Sequence, residues 1–537
     1  MKSWQNVSDT RNQRIIRGQA NELGWVELEI APGEQLDGQA PSPGSHSLLT
    51  FIHISDLHIC DAQSPARVEL MDRFADPHHP MSALVPFVGA YRAQEILTTQ
   101  TLESMVRTVN SIKHGVHSDR AVDFVIATGD VTDNAQANEL DWYFTLMEGG
   151  QILPDSGDYD LWEGVAQQDP EKYDRSYWNP EGTPAGCEDD YPRSLYGFPT
   201  VPGLTAAVRQ SFSATGLVHK WYATHGNHDA LLQGTVPPNA ELIEITTGAN
   251  RLTSLAPDLD LTKVFGGWSM VGPAGYVSPQ GGTFRDQKAD PRRRFNEASD
   301  WAKLHLACKD DGHADHDGHG LTEKNAIDGT KYWFRDHEEF RLISLDTVNI
   351  NGGWQGSINE TQFNWLKSLL NQSSGKRVIL FSHHPLHSLF NDYAPAGAER
   401  QVAREEIEEE LLHHREIIAW FAGHDHDNRI HYIGTEGVNG FWHVLTASLI
   451  DWPQQGRIVE ILLDGTDLVI ATSVIDHDSP VDLPTALSTL DNPVNLAGLS
   501  RILSANHWQR RKKNDFFNEL AAGEAADRNR FLRLGTR

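Results

Sequence analysis

The sequence predicts an α/β fold with mixed sheets, and three observations predict it. The apolar runs Leu48–Ser55 and Val122–Ile126 flank helical apolar spacing from about Arg92 to His114, a strand–helix–strand unit with a parallel sheet. After residue 330 the pattern turns β-rich, with strands expected near 331–334, 340–346, 377–382, 417–422, 441–447, 457–463 and 467–474. The last three are expected to complete a second, more antiparallel sheet. Third, five polar segments sit at the ends of such runs: Asp56-Leu57-His58, Gly129-Asp130-Val131-Thr132-Asp133, Gly226-Asn227-His228-Asp229, His383-His384-Pro385 and Gly423-His424-Asp425-His426. Open α/β sheets bind ligands at the carboxyl ends of their strands.

These segments run from 56 to 426 and must meet, so the 537 residues read as one elaborated domain rather than three or four. The division expected is an N-terminal arm over 1–47, a catalytic body over 48–477, and a linker with a C-terminal helix over 478–537. Long insertions fall at about 149–216 and 230–330. The first is rich in Asp, Gly, Pro and aromatics, among them Tyr159, Trp162, Tyr177, Trp178 and Phe198. It reads as a cap over the site or as a scaffold elaboration away from it. The second carries the ion-paired or substrate-facing cluster Asp290-Pro291-Arg292-Arg293-Arg294. It also carries Gly312–Gly320, whose composition suits metal but whose glycines set no fixed geometry. A solvated loop is the expectation there, with His319 near the pocket the lesser alternative. Asn134 is expected to cap a helix reaching Met147. The tail helix, from about Leu499 with Arg510, Arg511, Lys512 and Lys513, is expected to pack on the body or to mediate self-association.

Hydrophobic content of 39% and charged content of 22% are those of a soluble globular chain. A net charge of −29 disfavours nucleic acid and leaves small phosphate esters as partners. Three scattered cysteines make no disulfide framework, the first 45 residues hold no apolar signal core, and no run approaches a membrane span. An unanchored cytoplasmic protein is the expectation.

In an extended segment alternate residues point the same way, so Asp56 and His58 can grip one ion. With His426 they form one ligand group, and Asn227, His383 and His424 form another. Asp130 bridges the two. Imidazoles suit Zn, Fe or Mn, and carboxylates with an amide oxygen suit harder ions. Two ions at roughly 3.5–4 Å acidify a bridging water to hydroxide and screen a phosphate. His228, beside a ligand, reads as general acid or charge stabiliser, oriented by Asp133 or alternatively Asp229. Arg67 reads either as a phosphate clamp or as a surface partner of Glu69 or Asp72.

The order Asp-x-His, Gly-Asp-x-x-Asp, Gly-Asn-His-Asp, His, Gly-His-x-His resembles that of calcineurin-like metallophosphoesterases. Asp56–Arg67, Tyr196–Leu204 and Asp290–Phe295 resemble a bacterial, actinobacterial-type branch with long insertions. The resemblance implies a four-layer αββα sandwich, a dinuclear centre of divalent or trivalent ions, and the ligand roles above, with His383 favoured over His384. Asn134 stands where the protein Ser/Thr phosphatases carry Arg, which argues against a phosphoprotein substrate. The function expected is hydrolysis of small phosphomono- or phosphodiesters. A nuclease, and a non-catalytic metal-binding scaffold on the same fold, are the alternatives.

Overall fold

The computed structural model describes residues 9–85, 87–308, 318–511 and 520–535. Two six-stranded sheets face each other. The first runs in the order Arg530–Leu534, Asp467–Asp476, Gln455–Asp464, His46–Ile54, Phe124–Thr128, Trp221–Thr224. The second runs Trp333–His337, Phe340–Ser344, Arg377–Phe381, Ile417–Ala422, Asn439–Leu445, Arg429–Thr435. In the first, His46–Ile54, Phe124–Thr128 and Trp221–Thr224 are parallel. In the second, the strands from Phe340, Arg377, Ile417 and Asn439 are parallel. All the motif segments follow these parallel strands.

The sheets are held face to face by an aromatic knot. Phe51 stacks on Phe124 within its own sheet at 5.1 Å and meets Phe381 and Phe421 of the other edge-on at 5.8 and 5.1 Å. Helices cover both outer faces. Leu102, Met105, Val106 and Val109 of Thr98–Ser111, and Leu140, Tyr143 and Leu146 of Ala137–Glu148, are buried in the same cluster as the first sheet. Phe363, Leu366 and Leu370 of Glu360–Asn371, and Ile407 and Leu411 of Arg404–Leu412, pack with Ile343, Val378 and Leu380. The chain is therefore an α/β protein with mixed sheets, layered as αββα.

Three expectations are corrected. The hairpin Gln455–Asp476 joins the first sheet, beside His46–Ile54, so the first sheet is the more antiparallel one. Alternating apolar residues describe a strand but not which sheet receives it. Arg429–Thr435, an edge strand half-exposed along its length, had no apolar run to signal it. The helix expected from Asn134 begins at Ala137, with a capping box between Gln136 and Glu139. Asn134 is instead bound to Asp133 and Glu139 at the site's edge.

The arm forms the hairpin Gln13–Ala20 and Val26–Pro32. The tail helix spans Pro493–Ala505, starts earlier than expected and is buried from Asn495 onward. Trp25 from the arm, Tyr177, Trp178 and Phe198 from the first insertion, and Leu499, Leu503 and Trp508 from the tail share one core. Polar contacts tie the insertion to the loop after His58, where Ser156 donates to Asp61 and Gln63 donates to Asp155, both at 2.7 Å. Lys512, Lys513 and residues 312–317 of the His-rich stretch lie outside the described residues. Among the described residues, no helix is long and apolar enough to cross a membrane.

Phe51→Ala empties the middle of the aromatic knot. Equilibrium denaturation should show a loss of about 3–5 kcal/mol, against less than 1 kcal/mol or so for a substitution at exposed Val438.

Candidate metal centre

Five of the side chains expected to hold ions sit on strained backbone: Asp56, His58, Asp130, His424 and His426 have φ of 53°, 46°, 49°, 71° and 58°. Such left-handed conformations cost non-glycine residues of order 1–3 kcal/mol each and persist only where the surroundings over-determine them. Here they do. The first two loops continue the parallel pairing of their strands, with the amides of Asp56, His58 and Ile59 donating to Gly129, Asp130 and Val131 at 3.2, 2.9 and 2.9 Å. Asp229 then receives the amides of Gly226, Val131 and Thr132 at 2.8, 2.9 and 2.9 Å, locking the second loop to the third. The loops approach so closely that a Cβ at Gly226 would overlap the backbone and carboxylate of Asp130. One at Gly423 would overlap Ser55 and Asp56. This is why glycine precedes both ligand segments.

The tautomers follow from the outer partners. His58 Nδ1 lies 3.0 Å from Asp133 Oδ1, and His426 Nδ1 lies 2.8 Å from Asp451 Oδ2. In the neutral ring each Nδ1 therefore carries the proton, which leaves the Nε2 lone pair for an ion. The two Nε2 atoms face each other at 3.2 Å, with Asp56 Oδ1 3.3 Å from that of His426. His383 Nδ1 donates to the Thr128 carbonyl at 2.9 Å, which turns its Nε2 toward Asp130 Oδ2 at 3.1 Å and His424 Nδ1 at 3.3 Å. Asp130 Oδ2 also lies 3.7 Å from His58 Nε2, so one oxygen stands between the two groups. Asn227 donates through Nδ2 to the Gly234 carbonyl at 2.9 Å, while its Oδ1 is buried without a hydrogen-bond partner. A buried orphan oxygen, next in the chain to the Gly226 backbone that lies against Asp130, fits a cation. The donor set thus suits metal ions.

His384 belongs to the same histidine cluster, yet its Nε2 donates to the Trp354 carbonyl at 3.1 Å and its Nδ1 accepts from Thr347 at 2.9 Å. Both of its ring nitrogens are thus engaged within the protein.

The electrostatics show a carboxylate cluster that draws positive charge, supplied by protonated imidazoles where no ion supplies it. Burial alone would raise the Asp56 and Asp130 carboxyls, but the neighbouring imidazoles hold both below the usual carboxylate range. Against burial, Asp130 and Asp56 push His383 up to about 9, and Asp56 and Asp451 do the same for His426. Burial lowers His424 and His228 to about 4.

His228 Nδ1 donates to the backbone carbonyl of Asp133 at 2.7 Å, and its amide donates to Asp130 Oδ1 at 2.8 Å. The Asp133 carboxylate, expected to orient His228, instead orients His58 and is 3.7 Å from His228. Its outer oxygen receives Gln233 at 2.9 Å and Asn134 at 3.2 Å. Asp229, the alternative partner, is used up by the loop amides. Arg67 is neither a phosphate clamp nor a surface residue. It is 1% exposed, pairs with Glu95 at 2.9 Å and Glu69 at 3.3 Å, and lies 3.5 Å behind Asp133. Arg292, Arg293 and Arg294 are ion-paired to Asp290, Asp61 and Asp300.

Sequence reasoning missed Asp451, fully buried between His426, Arg92 at 3.0 Å and Arg510 at 3.1 Å. These cations hold its carboxyl well below the usual range despite burial. The signal was present: Asp451 follows the parallel strand Asn439–Leu445, the same position rule that marks the other segments.

Two facing sheets with carboxylates and imidazoles gathered at the ends of their parallel strands define a mixed α/β architecture with a candidate metal centre. Residues 202–428 match the model of the calcineurin-like phosphoesterase family. The match leaves out Asp56, His58, Asp130 and Asp133, which the fold brings to the same cluster. A probable glycerophosphodiester phosphodiesterase, GpdQ, of Arcobacter nitrofigilis is 30% identical over 103 residues, 18% of this chain and 37% of the relative. The chain thus spans little more than a third of that relative's length. A solved structure described as GAP50, the anchor in the inner membrane complex of Plasmodium, is 9% identical over 81% of this chain and 87% of that one. Its TM-score is 0.26, too slight a likeness to carry an argument.

Asp451→Asn leaves His426 without its carboxylate partner. Competition titration with a chromophoric chelator should show metal affinity weakened by about 10–100-fold, with the far-ultraviolet circular dichroism unchanged.

Proposed function

We propose that the protein is a dinuclear phosphoesterase acting on small phosphomono- or phosphodiesters in the cytoplasm. The observation that carries this reading is the position of Asp130 Oδ2 between His383 Nε2 at 3.1 Å and His58 Nε2 at 3.7 Å. Asp56, His58 and His426 would hold one ion, Asn227, His383 and His424 the other, with Asp130 shared. Ions of the Mn, Fe or Zn class, when bound, supply Lewis-acid charge toward a phosphoryl oxygen and a water nucleophilic at neutral pH.

The chain's own groups do the rest. Asp133 and Asp451 fix the rings of His58 and His426 in the ligating tautomer. His228, 15% exposed at its side chain, has its Nδ1 tied to Asp133 and its Nε2 left for substrate. Burial keeps that ring neutral at neutral pH in the free protein, so it takes up a proton only beside an anionic phosphate. It then gives that proton to the departing oxygen or shares it with the phosphoryl group. The Asp133 carboxylate supports a ligand rather than the acid, so its removal should weaken metal retention.

The relative's name makes a phosphodiester the first substrate to try. With Mn²⁺-loaded protein, release of p-nitrophenol from bis(p-nitrophenyl) phosphate or from p-nitrophenyl phosphate should be lost in Asp130→Asn together with metal. In His228→Ala it should fall about 10²–10⁴-fold with metal content unchanged. Undiminished turnover in Asp130→Asn, or loss of metal in His228→Ala, would contradict the assignment.

A further inference from the structure

A second group of ligand-type side chains lies where the second insertion meets the helix Ala137–Glu148. Glu148 ends the helix Ala137–Glu148, Cys308 follows the helix Asp300–Ala307, and His319 sits in the turn Gly318–Gly320. One ligand atom from each lies within 4.8 Å of the others, and His319 Nε2 is 3.7 Å from Glu148 Oε1. His319 is held at φ 53°, left-handed backbone that a histidine adopts only under constraint.

The independent observation is His305, one helical turn before Cys308. It is 1% exposed, and neither ring nitrogen has a hydrogen-bond partner. Its ring centre lies 5.3 Å from that of His319, walled by Trp301 at 4.7 Å and Phe144 at 4.8 Å. A buried imidazole with both nitrogens orphaned is poorly explained as packing, where leucine or phenylalanine would serve. It packs against His319, beside the thiol, carboxylate and imidazole whose three ligand atoms form the cluster, a donor set that suits a tetrahedral ion with its fourth position open.

We propose that Glu148, Cys308 and His319 form a separate site for a single zinc-type divalent ion, with the buried His305 as its neighbour. The class follows from the donors, since thiolate and imidazole select zinc-like ions over magnesium or calcium. Burial and the Glu148 carboxylate push the Cys308 thiol above its usual range. Binding reverses this: the thiol releases its proton to solvent and the thiolate sulfur bonds the ion. The site would be structural. It touches the amino end of the strand Trp221–Thr224, where Trp221 Nε1 donates to Glu148 Oε1 at 2.8 Å. The same strand leads into Gly226-Asn227-His228. An ion there would staple the insertion's helix and turn to the strand that delivers those two residues.

The test is cobalt substitution of tag-free, reduced, full-length protein. The Asp130 centre contains no thiolate, so a thiolate-to-cobalt charge-transfer band reports only a cysteine site. The band should appear in the parent, persist in Asp130→Asn, and vanish in Cys308→Ser with one equivalent of bound zinc. Glu148→Gln and His319→Asn keep the thiol and should each shift the band, which covers the case where Cys308→Ser fails to fold. No band in the parent overturns the proposal. So does a band that survives Cys308→Ser and disappears in Cys60→Ser.

Discussion

The site depends on one carboxylate being delivered between two histidines from different sheets. Asp130 ends a strand of the first sheet, His383 follows a strand of the second, and His58 follows the neighbouring strand of the first. Their meeting requires the two sheets to be packed tightly at the level of Phe51, Phe124, Phe381 and Phe421. It also requires loops that turn sharply enough for Gly226 to lie against Asp130 and Gly423 against Asp56. The left-handed backbone at five ligand-type residues is the local cost of that convergence. Strain of order 1–3 kcal/mol at each would be comparable with the whole stability of a domain, about 5–15 kcal/mol. The loops keep it because inter-loop amide bonds and the buried Asp229 leave them no alternative.

Around this centre lies a shell of carboxylates whose work is orientation. Asp133 and Asp451 each take the far nitrogen of a histidine, and each is backed by arginine: Arg67 behind Asp133, Arg92 and Arg510 behind Asp451. Buried ion pairs contribute little net stability, and breaking one is costly because it strands a charge. Their consistent placement behind imidazoles reads as geometry control. Arg510 comes from the tail, so a segment far from the motifs in sequence takes part in the centre.

The strand-end segments, the parallel unit around Asp130 and the choice of ligand-type residues were legible in the sequence. Each follows an apolar run whose end is marked by glycine or by a polar pair. What was not legible depends on side-chain direction and on sheet membership. Nothing in Gly-Asp-Val-Thr-Asp says that Asp133 sends its carboxylate to His58 and only its carbonyl to His228. Arg67 looks like a surface residue until its loop folds back under Glu69 and Glu95. The apolar residues of the hairpin 455–476 fit either sheet. Asp451 was legible in principle, since it obeys the same strand-end rule without a histidine or glycine beside it.

The central claim is that Asp130 is shared by two ions. The most direct measurement is anomalous difference density from crystals of the Mn²⁺-loaded protein. The account predicts two manganese peaks flanking Asp130 Oδ2, one against Asp56, His58 and His426, the other against Asn227, His383 and His424. A single peak at full loading, or two peaks of which only one touches Asp130, would contradict it.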